Sequence, residues 1–179
     1  MTHQNVTFNI HSTKRFCAIL GFSMRAEFAN PFIKAAVDVF DKEAGIKLSR
    51  RDLKLSSSAA PSLPVAIILG ATGAVKGQVV YSMDESFAFE LTKKMLPGKL
   101  PAELKKLMNS AISEVANMIT GRASIELAGD HDVIHITPPA VFTGTFLSVD
   151  FLKIPTITFG FLSAIGGFEI NIALTQENP

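Results

Sequence analysis

The chain has little cysteine, and its charges of opposite sign nearly cancel. Cys17 is the only cysteine among 179 residues, which excludes an intramolecular disulfide and a cysteine-based zinc site. The chain carries 17 Lys and Arg against 16 Asp and Glu, for a formal net charge of +1. Such a balance provides no global field to attract nucleic acid or an acidic membrane surface. We therefore expect no nucleic-acid partner.

Long apolar runs are also missing. Hydrophobic residues make up 47% of the chain, yet no apolar run approaches the roughly 18 to 20 residues that a membrane-spanning helix needs. The apolar stretch over residues 16–22 is short and is not followed by a small-residue cleavage site, which argues against a signal peptide. We expect the apolar residues to be buried in a sheet and helices, in a cytoplasmic protein that does not bind membranes.

The chain divides into an N-terminal extension and one domain. Residues 1–27 show neither hydrophobic periodicity nor capping residues, and Met24 would be a plausible alternative start. This extension is predicted to be dispensable. Residues 28–179 have a length that suits a single buried core.

The domain sequence predicts an alternation of helices and strands. A helix is predicted to start at Asn30, which would cap it ahead of Pro31, and to end at Gly45. The other predicted elements are an edge strand over 46–55, a β-hairpin made of V-A-I-I-L-G and G-Q-V-V-Y-S-M, a helix over 84–96, a long helix from Pro101 to about residue 128 that Gly129 ends, and strands over 132–137, 143–150, 156–162 and 167–174.

A degenerate duplication links the two parts of this domain. Four positions of the first helix recur 76 residues later in the long helix. The pair of glycines around the first hairpin turn recurs around the last hairpin turn with an offset of 90. We predict an α+β fold of two degenerate helix-plus-hairpin halves, which form a mostly antiparallel sheet with helices packed on one side. The matched positions are Lys34, Asp38, Asp41 and Gly45 with Ser110, Glu114, Asn117 and Gly121, and Gly70 and Gly77 with Gly160 and Gly167.

The long helix carries a polar line, which we call the stripe: Ser110, Glu114, Asn117 and Gly121. Their spacing of i, i+4, i+7 and i+11 places them within about 60° of arc on one face. The stripe is predicted to face outward, where the missing side chain of a glycine lets another macromolecule approach closely. A plain solvated helix face is the alternative interpretation. The predicted buried side consists of Leu107, Met108, Ala111, Ile112, Val115 and Ile119.

Two other patterns carry less chemistry. The glycine-rich segment over residues 70–77 lacks the G-K-S/T ending of a phosphate-binding loop, so it favours a hairpin turn. His131 and His135 lie near Asp130 and Asp132 at the start of a predicted strand. A metal site there is a minor alternative, and the role of the two histidines is left open.

The stripe also carries a family resemblance. Ser110-x-x-x-Glu114-x-x-Asn117 resembles the D/S-x-x-x-E-x-x-N signature of the CheC/CheX chemotaxis phosphatases. The segments N-P-F-I-K-A-A-V-D-V-F, L-G-A-T-G-A-V-K-G-Q-V-V-Y-S and I-T-P-P-A-V-F-T-G are similar to the same family in the same order, over about residues 28–175. A single intact signature points to the CheX branch.

The resemblance implies an enzyme that hydrolyses the aspartyl phosphate of a CheY-like response regulator. The regulator would supply Mg²⁺ and a lysine, and this chain would need no cofactor of its own. Asn117 would orient the attacking water and Glu114 would dock on the regulator's lysine, with Ser110 and Gly121 at the contact surface. Asp41 replaces the amide in the first half, which would leave that half silent.

The resemblance further implies a homodimer joined through sheet edges. Five lysines ahead of the signature would steer an acidic partner towards it, although a plain solvated surface explains them equally well; they are Lys93, Lys94, Lys99, Lys105 and Lys106. The same fold also serves as a non-catalytic module that binds response regulators or belongs to the flagellar switch. That alternative stays open at the level of sequence.

Overall fold

A computed structural model describes residues 28–129, 132–144 and 155–176. These residues form three helices and seven strands. The helices are α1 (Ala29–Ala44), α2 (Glu85–Met95) and α3 (Pro101–Ala128). The strands are β1 (Ser49–Ser56), β2 (Val65–Gly73), β3 (Val75–Met83), β4 (Ile134–Ile136), β5 (Ala140–Thr143), β6 (Thr156–Ser163) and β7 (Gly166–Gln176).

All seven strands join one antiparallel sheet in the order β1-β6-β7-β3-β2-β4, and β5 also pairs with β2. The central pair is β3 with β7, in register from Val75 opposite Gln176 to Met83 opposite Phe168. Read from either edge, the order is an edge strand followed by a hairpin. The fold therefore consists of two equivalent halves, α1-β1-β2-β3 and α3-β4/β5-β6-β7. This confirms the predicted α+β fold.

The main core lies between the helices and one face of the sheet. Apolar side chains of all three helices and of the central strands form one buried cluster. At its centre the ring of Phe168 on β7 lies edge-on to that of Phe40 at 4.7 Å and stacks on that of Phe87 at 5.7 Å. Because β7 belongs to the second half and α1 to the first, these rings tie the two halves together.

The first helix begins two residues earlier than predicted. Phe28 occupies the N-cap position without a capping side chain, and Asn30 lies inside the first turn, so the predicted Asn30 cap was wrong. Proline is tolerated throughout this turn because its missing N–H has no partner there in any case. Gly45 ends the helix as predicted, with φ of 60° and its N–H donating to the Asp41 carbonyl at 3.0 Å.

The strands after α3 differ most from the prediction. Thr143 ends β5 instead of opening a strand, and residues 145–150 of the predicted strand lie outside the described residues. The Pro138-Pro139 break separates β4 from β5, since proline cannot donate to the ladder. Thr137 bridges the gap: its N–H donates to the Gly70 carbonyl at 3.0 Å, and its hydroxyl accepts the Gly70 N–H at 2.9 Å. Together β4 and β5 form the sheet edge beside β2, and β1 forms the opposite edge beside β6.

Within the described ranges, no helix is both long enough and apolar enough to cross a membrane. Cys17 and the predicted extension, residues 1–27, fall outside those ranges.

Candidate functional site

The stripe is carried by α3, a helix of 28 residues that begins and ends where the sequence predicts. Pro101 takes the first helical position, and the Glu103 carboxylate accepts the Leu100 N–H at 3.0 Å, which satisfies a backbone donor at the helix start. Gly129 follows the last residue with φ of 60°. At 1.5 Å per residue the helix is about 42 Å long, which is long for a domain of this size.

A buried hydrogen bond fixes the rotation of α3 about its axis. The Tyr81 hydroxyl on β3 lies 2.8 Å from the Thr120 hydroxyl, which itself donates to the Ala116 carbonyl at 2.8 Å. Because the Thr120 proton is used in the second bond, Tyr81 is the donor in the first. Burial raises the pKa of Tyr81, so this donor keeps its proton. The pair is not visible in the sequence, since only the packing of α3 on β3 brings the two residues together.

The structure exposes Ser110, Glu114 and Asn117 on the outer face of α3, and Gly121 is half-buried in the same line. The predicted orientation of the stripe is therefore confirmed. Within residues 28–129, 132–144 and 155–176, the three side chains form no hydrogen bond or ion pair with the chain. Their polar atoms are available to a second molecule.

The predicted buried side of α3 needs one correction. Ala111, Ile112, Val115 and Ile119 are buried and Met108 is half-buried, but Leu107 is 36% exposed. At 100° per residue, Leu107 lies about 80° from Asn117, beside the stripe and not opposite to it. The prediction was wrong because it assigned every apolar residue near the helix start to the core.

The equivalent residues on α1 are engaged within the chain. Asp38 pairs with Lys42 at 2.7 Å, Asp41 with Lys47 at 2.5 Å, and Lys34 with Glu126 of α3 at 3.1 Å. The hydrogen bond from Lys42 holds the pKa of Asp38 below its usual range. Polar residues at matching positions thus have different surroundings in the two halves: paired on α1 and unpaired on α3.

Positive charge gathers at the N-terminal end of α3. Lys93 and Lys99 have nearby carboxylates, Glu90 at 3.3 Å and Glu103 at 3.9 Å. In the described part of the chain, Lys94, Lys105 and Lys106 are exposed and form no ion pair. Lys106 precedes Ser110 by one helical turn, so a free cation continues the stripe towards its N-terminal end.

The two histidines of the sequence analysis lie only partly within the described residues. His135 is exposed on β4, whereas His131 lies outside the described residues. Among the residues that the structure describes, no three His, Cys, Asp or Glu side chains come together as metal ligands. The glycine-rich segment forms the β2–β3 hairpin, as predicted.

Fold and stripe together define a class of α+β domain: two repeated halves share one antiparallel sheet, and a long helix exposes Ser, Glu and Asn side chains that have no hydrogen-bond or ion-pair partner among the described residues. The family model described as chemotaxis phosphatase CheX matches residues 65–161, which is more than half of the chain and includes all of α3. The chain belongs to this family, as the sequence predicted.

Individual relatives agree with this assignment. The chain is 31% identical over 96 residues to the CheY-P phosphatase CheX of Thermotoga maritima, a match that covers 51% of this chain and 62% of that relative's length. A crystal structure of the chemotaxis protein CheX from Vibrio vulnificus is similar with a TM-score of 0.69 and 26% identity, covering 84% of this chain and 100% of the other.

A third similarity concerns the fold alone. The crystal structure of a CheX–CheY–BeF3–Mg²⁺ complex from Borrelia burgdorferi contains a chain that matches with a TM-score of 0.69 and 24% identity. The match covers 83% of this chain and 98% of that one.

Proposed function

We propose that this protein hydrolyses the aspartyl phosphate of a CheY-like response regulator. The observation that carries the proposal is that Glu114 and Asn117, on the exposed face of α3, have no partner among the described residues, whereas the matching carboxylates of α1 are paired. Family membership and the relative named CheY-P phosphatase support the reaction class. The solved complex with CheY supports the partner class.

The proposed chemistry asks little of this chain. Water attacks the phosphorus in line, the bond to the aspartyl oxygen breaks, and aspartate and inorganic phosphate are released. Catalysis of this kind is mostly positioning together with charge stabilisation. The Asn117 amide both donates and accepts hydrogen bonds, so it orients the water without adding negative charge beside the phosphate. A carboxylate such as Asp41 in the same place would repel the phosphate.

The other stripe residues act in docking. Glu114 is exposed one turn from Asn117 and would pair with a lysine of the regulator, which fixes the register of the two proteins. Ser110 and Gly121 extend the contact surface along the helix, without a catalytic task. Mg²⁺ belongs to the regulator's site in this proposal, and the reaction takes place in the cytoplasm with no cofactor of this chain. The proposal also includes a homodimer joined through sheet edges.

Phosphate release tests the proposal. Receiver domains from the same host, phosphorylated by a small phosphodonor, should lose phosphate faster with the parent protein. Asn117→Ala should lower this rate on the order of 10²- to 10³-fold, the usual loss for one positioned transition-state group. Its far-ultraviolet circular dichroism should match that of the parent, because truncating an exposed side chain leaves no cavity.

Two comparison variants sharpen this test. Glu114→Ala should raise KM with a smaller effect on kcat, because its proposed partner is on the other protein. Asp41→Ala, at the position of α1 that matches Asn117, should leave the rate near that of the parent. Parent-like turnover by Asn117→Ala would contradict the mechanism and return the stripe to a solvated helix face.

The second candidate is a non-catalytic module that binds a response regulator, of the kind found in the flagellar switch. The exposed stripe suits docking in either case. The presence of Asn117 favours hydrolysis, since a surface that only binds has no need for a group that orients water.

A further inference from the structure

Apolar side chains are concentrated on the exposed surface of α3. In the part of the chain that the structure describes, five large hydrophobic residues are exposed: Leu100 at 68%, Leu107 at 36%, Ile125 at 77%, Val133 at 61% and Leu162 at 45%. Three of the five lie on α3 or at its N-cap, although this helix is also the one that carries the stripe. Single exposed apolar residues are ordinary on a protein surface, but several on one helix flank need an explanation.

These residues share one side of the stripe. At 100° per residue, Leu107 and Ile125 lie about 80° from Asn117 and Met118 lies about 100° from it, all in the same direction. We call Leu107, Met118 and Ile125 the apolar flank. Met118 is half-buried, so the flank also rests on the core. On the other side of the stripe lie Lys106 and Ser113, both polar.

The apolar flank is specific to the second half of the fold. Lys42 of α1 lies 76 positions before Met118, and its ammonium group pairs with Asp38 at 2.7 Å. The position that matches Ile125 lies beyond the end of α1, in β1. Pro31 of α1, which matches Leu107, is apolar but buried. The half that lacks the amide therefore also lacks an exposed flank. This co-occurrence links the flank to whatever the stripe binds.

We propose that the apolar flank is the part of this surface that holds the receiver domain of the response regulator, by covering an apolar patch beside the regulator's acidic phosphorylation site. The inference rests on the proposed function and names which residues provide affinity for its partner. The flank is continuous with the stripe, and Leu107 to Ile125 span roughly 27 Å, close to the diameter of a small domain. Lys106, at the other border of the stripe, is exposed and suits an acidic surface on the partner, so charge and apolar contact together would set the partner's orientation.

Binding to an activated receiver domain tests the flank apart from catalysis. The probe is a host receiver domain with Mg²⁺ and beryllofluoride, titrated calorimetrically with the full-length protein. Leu107→Ala and Ile125→Ala should each raise Kd about tenfold, as expected when a buried aliphatic side chain is lost from an interface. Both variants should fold, because alanine favours a helix at least as well as the residues it replaces.

Leu162→Ala is the matched control, since Leu162 is an exposed leucine on β6 and not on α3. It should leave Kd unchanged. The inference is overturned if the two flank variants bind like the parent, if Leu162→Ala weakens binding equally, or if the flank variants convert a dimer of this chain to a monomer, which would assign the flank to a second copy.

The test separates this inference from the proposed function. Binding without phosphate release by the parent would refute hydrolysis, while the Kd values would still decide on the flank. If the parent binds none of the host's activated receiver domains, both proposals are wrong.

Discussion

Gly121 occupies the interior of α3, where glycine weakens a helix because its backbone loses more freedom on folding than that of any other residue. A Cβ placed on Gly121 would meet nothing within 4 Å among the described residues. The packing of the described residues therefore does not require a glycine here. A second molecule that approached the stripe closely would require one, because a side chain at this position would stand in its way.

We expect Gly121→Ala to stabilise the protein. The free energy of unfolding should rise by about 0.5 to 1 kcal/mol in urea denaturation, the usual gain for this change inside a helix. Docking of an activated receiver domain should become weaker, because the new methyl group stands in the line of contact. Unchanged binding would show that no partner approaches the helix this closely.

The stripe was accessible from sequence because helical spacing alone decides which residues share a face. Ser110, Glu114 and Asn117 needed no tertiary information, and the structure exposes all three. Leu107 was misassigned because apolar character does not show on which side of a helix the core ends. The ion pairs of Asp38 and Asp41 were also missed, since their lysine partners on the same segment can equally well remain solvated.

At the scale of elements, the site depends on how α3 is fixed on the sheet. The Tyr81 to Thr120 hydrogen bond is buried and joins β3 of one half to the helix of the other. It is a direct side-chain hydrogen bond between α3 and the sheet. It therefore contributes to the direction in which the stripe points.

Tyr81→Phe should lower the free energy of unfolding by about 1 kcal/mol, the typical net value of one buried hydrogen bond. The loss of stability at alkaline pH gives a second test of this hydrogen bond. The pKa of Tyr81 is raised above its ordinary value of 10.0, so the unfolded chain loses this proton first and stability falls as pH rises beyond that value. The phenylalanine variant should lack this part of the alkaline loss. Denaturation curves with the same pH slope for both proteins would contradict the assignment.

Elements with strong local signals could be predicted, and those set by pairing could not. The ends of α3 follow from Pro101 and Gly129, which act on their own turns. The limits of β4 and β5 instead follow from their partner β2 and from the side-chain bridge of Thr137, neither of which is visible in the local sequence. The pairing of β3 with β7 likewise required the structure.

At the scale of the molecule, the edges of the sheet bear on assembly. In the described sheet β1 forms one edge. The carboxylate of Asp52 on this strand lies 3.6 Å from the Arg51 guanidinium and 3.2 Å from the Lys54 ammonium group. Charged edge strands discourage uncontrolled pairing. An ordered homodimer would then use the opposite edge, where β4 and β5 are short and carry few charges.

We expect light scattering to give the mass of a dimer at tens of micromolar protein. Raising the salt concentration should leave that mass unchanged, since an edge without charges is held by backbone hydrogen bonds and apolar contact. A monomer under these conditions would refute the proposed dimer.

The extension offers a test of the domain limits. Removal of residues 1–23 should leave the melting temperature nearly unchanged, because residues 28–179 are proposed to contain the whole folding unit. The full chain, heated in parallel, is the control. A fall of many degrees in the shortened protein would show that the extension packs against the domain.

The central pairing of β3 with β7 also affects when the sheet can form during folding. Val75 pairs with Gln176, which follows it by 101 residues, so the middle of the sheet closes only after this long intervening segment has been synthesised. Folds dominated by such distant pairings close slowly, in milliseconds to seconds. Until then the first hairpin leaves one edge of β3 unpaired, and seven of the nine β3 residues are ones that the folded protein buries. The growing chain is therefore most prone to aggregate in the interval before β7 emerges.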